Sequence, residues 1–368
     1  MTENRLNRLE NLMRKHDLAA IAINPGPTLT YLTGLHFHLM ERPTVLILVP
    51  GKQPVLVLPE LEVAKVAQAA IPLQPFKFGE NPATWAEVFR AAVESLGLTS
   101  ECVGLEPTRF RYLELNLLQS AVPALQFGSA EGALSELRMQ KDAQEVAAMR
   151  RAVQIAQTAF LEMLKMVRPG VSEREIAAEL SIQLLRAGSE SDMPFAPIIA
   201  GGPNSANPHA VPTDRKFQAG DLVVVDWGAT YDGYISDLTR TLAIGEVEPE
   251  FRQIAAIVKE ANAAGCAEAR PGIPAGQVDT VTRAVIARQD YGPYFRHRTG
   301  HGIGMEGHEP PYIYGENELI LQPGMAFTVE PGIYLLGRGG VRIEDNVVIT
   351  ENGAEILSDL PRDLWVIE

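Results

Sequence analysis

Two segments of the chain repeat one strand pattern, and this repeat limits the folds open to the second part of the sequence. AGDLVVVDWG (219–228) and PGMAFTVEPG (323–332) each place a glycine turn before an apolar strand that ends in valine, a carboxylate, one further residue and glycine. Asp226 and Glu330 occupy the matching position. The repeat predicts two structural copies related by a pseudo-twofold axis.

Each copy is followed by a second acidic strand position. Asp237 lies in YISDLTRTL and Glu344 lies in VRIEDNVVIT. If the copies face each other, four carboxylates converge on one centre. The alternative is two similar hairpins whose acids point to water, and short pattern matches leave both interpretations open.

The setting of Asp226 favours a positive partner. It ends a run of three valines and precedes Trp227, and burying an unpaired carboxylate in such a context is costly. Salt bridges to Arg240 or Arg342 are the simple alternative. Four acids in two matched frames are better explained by a cluster of bound cations.

The stretch HRTGHGIGMEGHEPP (297–311) holds three of the seven histidines. His297 and His301 have the spacing of a helical zinc motif, but the glycines at 300, 302 and 304 oppose a helix. A strand or loop is expected instead. One imidazole from His301 in a carboxylate site favours Mn, Co, Fe or Zn over Mg or Ca. His297 and His308 are predicted to be donors beside the metal site, and His209 lies in a loop before the first acidic strand.

The order of patterns along the chain predicts two domains. Residues 1–128 alternate helices with short apolar strands at 19–23, 44–49, 54–58 and 103–106, which predicts an α/β domain. Residues 129–368 predict an α+β domain. It opens with a continuous helix over 130–168, a second helix capped by Ser172 and Glu175, and later helices near 249–270 and 275–290.

Composition excludes several classes of function. The net charge of −14 disfavours nucleic acid and anionic membranes as partners. Cys102 and Cys266 form no CxxC pair, so neither a disulfide framework nor a cysteine zinc site is predicted. The N-terminus lacks the apolar region of a signal peptide, and no apolar run approaches the ~20 residues of a membrane span. A cytoplasmic protein is expected.

With Asp226, Asp237, His301, Glu330 and Glu344 in that order, the chain resembles the pita-bread metallopeptidases, the family of methionine aminopeptidase, aminopeptidase P and prolidase. The likeness rests on intervals of 11, 64, 29 and 14 residues and on DWGATYDGYISDLTRT, GHGIGMEGHEPP, VEPGIY and VRIEDNVVI. It covers about residues 145–360. The preceding α/β domain resembles the creatinase/prolidase N-terminal domain, which points to the proline-directed branch. Creatinase itself lacks the metal ligands.

The resemblance implies a centre of two divalent ions, with Mn favoured and Co, Zn or Fe as alternatives. Asp226 would bind one ion, Asp237 and Glu344 would bridge the pair, and His301 with Glu330 would complete the second. A hydroxide bridging the ions would attack the carbonyl that precedes proline. Glu330 would carry the proton to the imide nitrogen.

The resemblance also implies roles for the residues around the metals. His308 and His209 match positions that contact the substrate and stabilise the tetrahedral intermediate, and His297 matches a third histidine near the proline side. The remaining candidates are Arg342, which would fix a carboxylate or orient the acids, Thr239 as a hydrogen-bond donor to a metal ligand, and Tyr334 as a substrate contact or packing residue.

Within this branch, the implied activity is hydrolysis of Xaa-Pro dipeptides, as in prolidase. The alternative is an aminopeptidase P that removes the first residue of longer Xaa-Pro peptides. A dipeptidase needs a cation for the free carboxylate of its substrate, and Arg342 and Arg298 are the candidates. A homodimer is the family expectation. An inactive pita-bread binding module is a third possibility, which the five retained ligand types oppose.

Overall fold

The computed structural model describes residues 2–368, and the side chains of residues 5–368. The chain divides into two compact units, one ending at Arg138 and the other spanning Met139–Glu368. The sequence had placed this boundary after residue 128. The later position has a physical reason: the helix Glu131–Met139 buries Ala133, Leu134 and Leu137, and Arg8 donates a hydrogen bond to the Leu137 carbonyl at 3.1 Å.

The first unit is the predicted α/β domain. Its helices are α1 (Thr2–Lys15), α2 (Pro27–Thr33), α3 (Trp85–Ser95), α4 (Tyr112–Ala121) and α5 (Glu131–Met139). Its strands are β1 (Ala20–Ile23), β2 (Val45–Leu48), β3 (Val55–Pro59), β4 (Gln74–Phe78), β5 (Cys102–Leu105) and β6 (Gln126–Ser129). They form one mixed sheet in the order β4-β3-β2-β1-β5-β6. The four predicted strands correspond to β1, β2, β3 and β5. The sheet edges β4 and β6 escaped prediction because they are largely exposed and lack an apolar run.

The predicted continuous helix over 130–168 is wrong. The structure breaks it into α5 and α6 (Ala143–Leu164). The helix is interrupted because the backbone between α5 and α6 pairs with a segment far along the chain. Gln140 forms an antiparallel β-bridge with Met325, and the Lys141 amide donates to the Gly324 carbonyl at 2.8 Å. Asp142 then begins α6 with a capping box.

The second unit is an α+β domain. Its further helices are α7 (Glu173–Ala187), α8 (Pro249–Glu268) and α9 (Ala275–Ala287). Its strands are β7 (Ile198–Gly201), β8 (Leu222–Trp227), β9 (Thr230–Tyr231), β10 (Tyr234–Ile235), β11 (Leu238–Ile244), β12 (Gly300–Gly302), β13 (Glu309–Ile313), β14 (Ala326–Val329), β15 (Gly332–Leu335), β16 (Gly339–Arg342), β17 (Asp345–Thr350), β18 (Gly353–Ile356) and β19 (Trp365–Ile367). The capping box of Ser172 and Glu175 at the start of α7 is confirmed.

Two sheets carry the predicted repeat. One has the order β19-β11-β8-β7 and the other the order β13-β12-β14-β17-β18. In each, an acidic segment pairs with the next acidic segment in antiparallel fashion, β8 with β11 and β14 with β17. A bridge between Thr239 and Glu344 joins the two sheets at the acids. The pseudo-twofold arrangement therefore brings the ends of both strand pairs to one place.

The core of this unit lies beneath the strand ends. Trp227 is fully buried and stacks on Phe160 of α6, with ring centroids 4.5 Å apart. The indole nitrogen of Trp227 donates to the Ala156 carbonyl at 2.8 Å. Neighbouring Asp226 is thereby held at a fixed position. Among residues 2–368, no helix combines the length and the apolar character needed to cross a bilayer.

Candidate metal centre

The four repeated acids lie at the ends of their strands and line one cavity of about 660 Å³. Asp226 is the penultimate residue of β8, Asp237 directly precedes β11, Glu330 directly follows β14, and Glu344 directly precedes β17. His301 of β12 lines the same cavity. The acids therefore face each other inside the protein and do not point to bulk water.

Three side chains form the tightest group. Ligand atoms of Asp237, His301 and Glu344 all lie within 4.8 Å of one another. His301 Nε2 is 3.7 Å from Asp237 Oδ2 and 3.6 Å from Glu330 Oε1. His301 Nδ1 lies 3.1 Å from the Gly302 carbonyl, which can only accept, so Nδ1 carries the proton. The lone pair of Nε2 consequently faces the acids, as metal binding requires.

Burial and mutual repulsion perturb these groups strongly. Burial raises the pKa of Asp237 and of Glu344 well above the ordinary value, and the neighbouring carboxylates raise both further. Burial, assisted by Asp226, raises the pKa of Glu330 to about 8. Burial, assisted by His308, lowers the pKa of His301 to about 3. A bound cation would reverse this repulsion and keep all the acids ionised.

The donor atoms fit divalent cations. Asp226 Oδ1, Asp237 Oδ1 and Glu344 Oε1 are buried and have no hydrogen-bond partner among the described residues. Buried polar atoms without a partner are costly in a folded protein. Several carboxylate oxygens with one neutral imidazole suit an ion of the Mn, Co, Fe or Zn type.

A buried hydrogen-bond network supports the acids from behind. Arg342 donates to Asp226 Oδ2 at 2.6 Å, to Thr239 Oγ1 at 3.1 Å and to Tyr334 Oη at 3.1 Å. Thr239 donates its hydroxyl to Glu344 Oε2 at 2.8 Å. One network therefore fixes an acid from each half of the repeat. Arg240 pairs elsewhere, with Asp345 at 2.7 Å.

His297 extends this network. Its Nδ1 donates to the Arg298 carbonyl at 2.8 Å, and its Nε2 accepts from Tyr334 Oη at 2.8 Å. Burial, followed by the charge of Arg342, lowers the pKa of His297 to about 4. Tyr334 and Arg342 are buried, and their polar groups are turned to the protein. These contacts fit the acid-orienting alternative for Arg342 and the packing alternative for Tyr334, and the substrate contact expected for His297 stays a prediction.

The other two histidines also line the cavity. The rings of His308 and His301 have centroids 3.8 Å apart, and Arg298 Nη2 lies 3.2 Å from His308 Nδ1. Burial and the charge of Arg298 lower the pKa of His308. His209 is exposed at the cavity.

Sequence reasoning missed an apolar wall of the cavity. Its residues are Pro194, Phe195, Ala196 and Ile198, from the apolar run MPFAPII (193–199).

Comparison with known proteins agrees with this geometry. Residues 147–351 match the model of metallopeptidase family M24, and residues 5–140 match the creatinase/prolidase N-terminal domain. The chain belongs to metallopeptidase family M24.

Three similar proteins cover 98% or more of the chain. It is 33% identical to the Xaa-Pro dipeptidase of Pyrococcus horikoshii over 98% of both chains. The prolidase from Thermococcus sibiricus has a TM-score of 0.94 and 33% identity, covering 100% of this chain and 99% of its own. The X-Pro aminopeptidase from Thermotoga maritima has a TM-score of 0.86 and 31% identity, covering 98% of this chain and 99% of its own. This M24 protein is thus similar to enzymes of both activities.

Proposed function

We propose that this M24 metallopeptidase hydrolyses the imide bond of Xaa-Pro dipeptides. The observation that carries the proposal is the convergence of Asp237, His301 and Glu344 within 4.8 Å in a cavity also lined by Asp226 and Glu330. The similarity to an Xaa-Pro dipeptidase and a prolidase over nearly the whole chain supports the choice of substrate.

These five residues would hold two divalent ions, with Mn favoured. When bound, such ions polarise the scissile carbonyl and lower the pKa of a water molecule for attack on it. The protein supplies the geometry, because each ligand stands at the end of a strand whose register is fixed by pairing to its neighbour. Thr239 and Arg342 keep Glu344 and Asp226 from rotating.

Glu330 is proposed to move the proton. Proline nitrogen is tertiary in the substrate and must be protonated before it can leave. An ionised carboxylate at this position can accept a proton from the attacking water and give it to that nitrogen. Because Glu330 lies 3.6 Å from His301 Nε2, this proton would move directly beside the metal ligands.

His308 is proposed to stabilise the oxygen of the tetrahedral intermediate. An arginine can only donate, so the contact from Arg298 makes His308 Nδ1 an acceptor and leaves the proton on Nε2. The lowered pKa keeps this ring neutral at pH 7. Its Nε2 is therefore an N–H donor within the cavity. His209 is proposed as a second donor from the exposed side.

His297, Tyr334 and Arg342 are proposed to position the acids, which is one of the two roles that the sequence left open for Arg342. Their polar atoms already have protein partners at 2.6–3.1 Å. The proline ring of the substrate would instead contact the apolar wall formed by Pro194, Phe195 and Ile198. An apolar wall suits an apolar ring better than these polar groups do.

Cleavage of longer Xaa-Pro peptides is the second candidate. The X-Pro aminopeptidase from Thermotoga maritima is similar over 98% of this chain. A second cavity of about 540 Å³ shares the lining residues His297 and Arg298 with the first. A longer peptide would need such space.

Hydrolysis of Leu-Pro and Leu-Pro-Gly, measured with added Mn²⁺ and after chelation, tests the proposal. Metal-dependent cleavage of the dipeptide is expected, and preference for the tripeptide would favour the second candidate. Cleavage of neither peptide would refute both. Glu330→Gln should be folded and inactive, whereas Glu351→Gln, an exposed acid on the turn after β17, should retain activity.

A further inference from the structure

The cavity contains a permanent cation that the metal centre does not use. Two bound divalent ions would offset the four carboxylates that line the cavity, so the carboxylate end of a dipeptide would be recognised by a further cation, as arginine recognises carboxylates. Of the described residues that line the cavity, Arg298 and Arg342 are permanently charged. These two arginines are therefore the candidates for binding the substrate carboxylate.

Four of the five side-chain N–H donors of Arg342 already have acceptors within the protein. Arg342 is 2% exposed, and its guanidinium donates to Asp226, Thr239, Tyr334 and the Pro208 carbonyl. Breaking the contact to Asp226 would leave that carboxylate buried and unpaired. Arg342 is therefore a support for the acids.

Arg298, in contrast, has few partners within the protein. It forms no ion pair with any described residue, and its one side-chain hydrogen bond goes to the neutral ring of His308. The guanidinium carbon lies 4.3 Å above the centroid of the Tyr312 ring. Stacking on an aromatic face leaves the edge of the guanidinium available for a carboxylate, which it can bind with two parallel hydrogen bonds.

The position of Arg298 suits the length of a dipeptide. His308, which contacts Arg298, stacks at 3.8 Å on the proposed metal ligand His301. The ring of His308 thus lies between Arg298 and the proposed metal ligand His301. In an Xaa-Pro dipeptide, the carboxylate follows the scissile bond by one residue, or about 3.5 Å of extended chain.

We propose that Arg298 binds the C-terminal carboxylate of the dipeptide substrate, an inference that rests on the proposed function. Arg298 also borders the second cavity, where the remainder of a longer peptide would lie. Selection of dipeptides would then come from charge recognition at Arg298. Tyr312 holds the guanidinium in place.

The test compares Leu-Pro with Leu-Pro-amide, which lacks the negative charge. In the metal-loaded wild type, kcat/KM should be higher for the acid. Arg298→Gln should lower kcat/KM for Leu-Pro by about 10- to 100-fold, mainly through KM, and should change the amide little. Arg298→Lys should retain part of the preference. Arg296→Gln, an exposed arginine two residues away that lines only the second cavity, is the matched control and should behave as wild type.

A binding measurement without turnover completes the test. Titration calorimetry should give wild type a higher affinity for L-proline than for prolinamide, and Arg298→Gln should lose that difference. Equal losses for acid and amide, or an acid preference that survives Arg298→Gln, would overturn the role of Arg298 while leaving the peptidase activity established. Failure of the wild type to cleave either substrate would instead overturn the proposed function and this inference with it.

Discussion

The metal-free protein should lose stability as the pH rises from 6.5 to 8. Glu330 has an ordinary pKa of 4.5 when unfolded and about 8 in the folded chain. The contribution of Glu330 to stability is fully present below its pKa in the unfolded chain. It is lost as the pH rises through its pKa in the folded chain. Between pH 6.5 and 8 the folded state therefore keeps a proton that the unfolded state has released.

The lower limit of this interval is set by the histidines. Burial lowers the pKa of His297 to about 4 and of His301 to about 3, from an ordinary 6.5. Their contribution to stability is present above 6.5 and is lost as the pH falls. Below pH 6.5 the two effects oppose each other, and above it the acids dominate.

The expected loss of stability follows from the single proton that Glu330 keeps in the folded state between pH 6.5 and 8. Each pH unit corresponds to about 1.36 kcal/mol per proton, and Glu330 is half ionised at the upper end. Glu330 alone should thus lower the free energy of unfolding by roughly 1.5 kcal/mol. Asp237 and Glu344, whose pKa values are also raised, should increase this loss.

Urea denaturation of chelated protein measures the effect. Two of the three tryptophans, Trp227 and Trp365, lie in the second unit, so a Trp85→Phe background makes fluorescence report on that unit. Glu330→Gln should reduce the pH-dependent loss by roughly 1.5 kcal/mol. Exposed Glu351→Gln should leave it unchanged. Equal stability of the chelated wild type at pH 6.5 and 8 would refute the reasoning.

Three further outcomes are expected. Arg342→Met strands the buried Asp226 carboxylate and should lower the free energy of unfolding by roughly 3–5 kcal/mol in urea; unchanged stability would show that the pair is dispensable. Thr239→Val should weaken metal binding about 10- to 100-fold by calorimetric titration, whereas Thr239→Ser, which keeps the hydroxyl, should not. His308→Ala should lower kcat about 100-fold with unchanged metal content by elemental analysis; metal loss would instead identify His308 as a ligand.

The local sequence pattern was sufficient to predict most helices and strands and to single out the proposed metal ligands. A buried strand needs a continuous apolar run, so β1, β2, β3 and β5 were readable, whereas the exposed edge strands β4 and β6 carried no such signal. The helix break at Gln140 was also unreadable, since it is made by pairing with Met325, far along the chain.

The sequence by itself determined which residues are the candidate metal ligands. In both copies of the repeat, an acid directly follows an apolar run. This pattern predicts the strand and the polar group at its end, because both depend on a few adjacent residues. Only the tertiary structure decided what the arginines do. Arg342 and Asp226 are separated by 116 residues, and their 2.6 Å contact exists because strands of different sheets meet at the acids. That contact occupies Arg342, whereas Arg298 forms no ion pair with the described residues and faces the cavity. The difference between the two arginines depends on their partners in three dimensions and not on their neighbours in sequence.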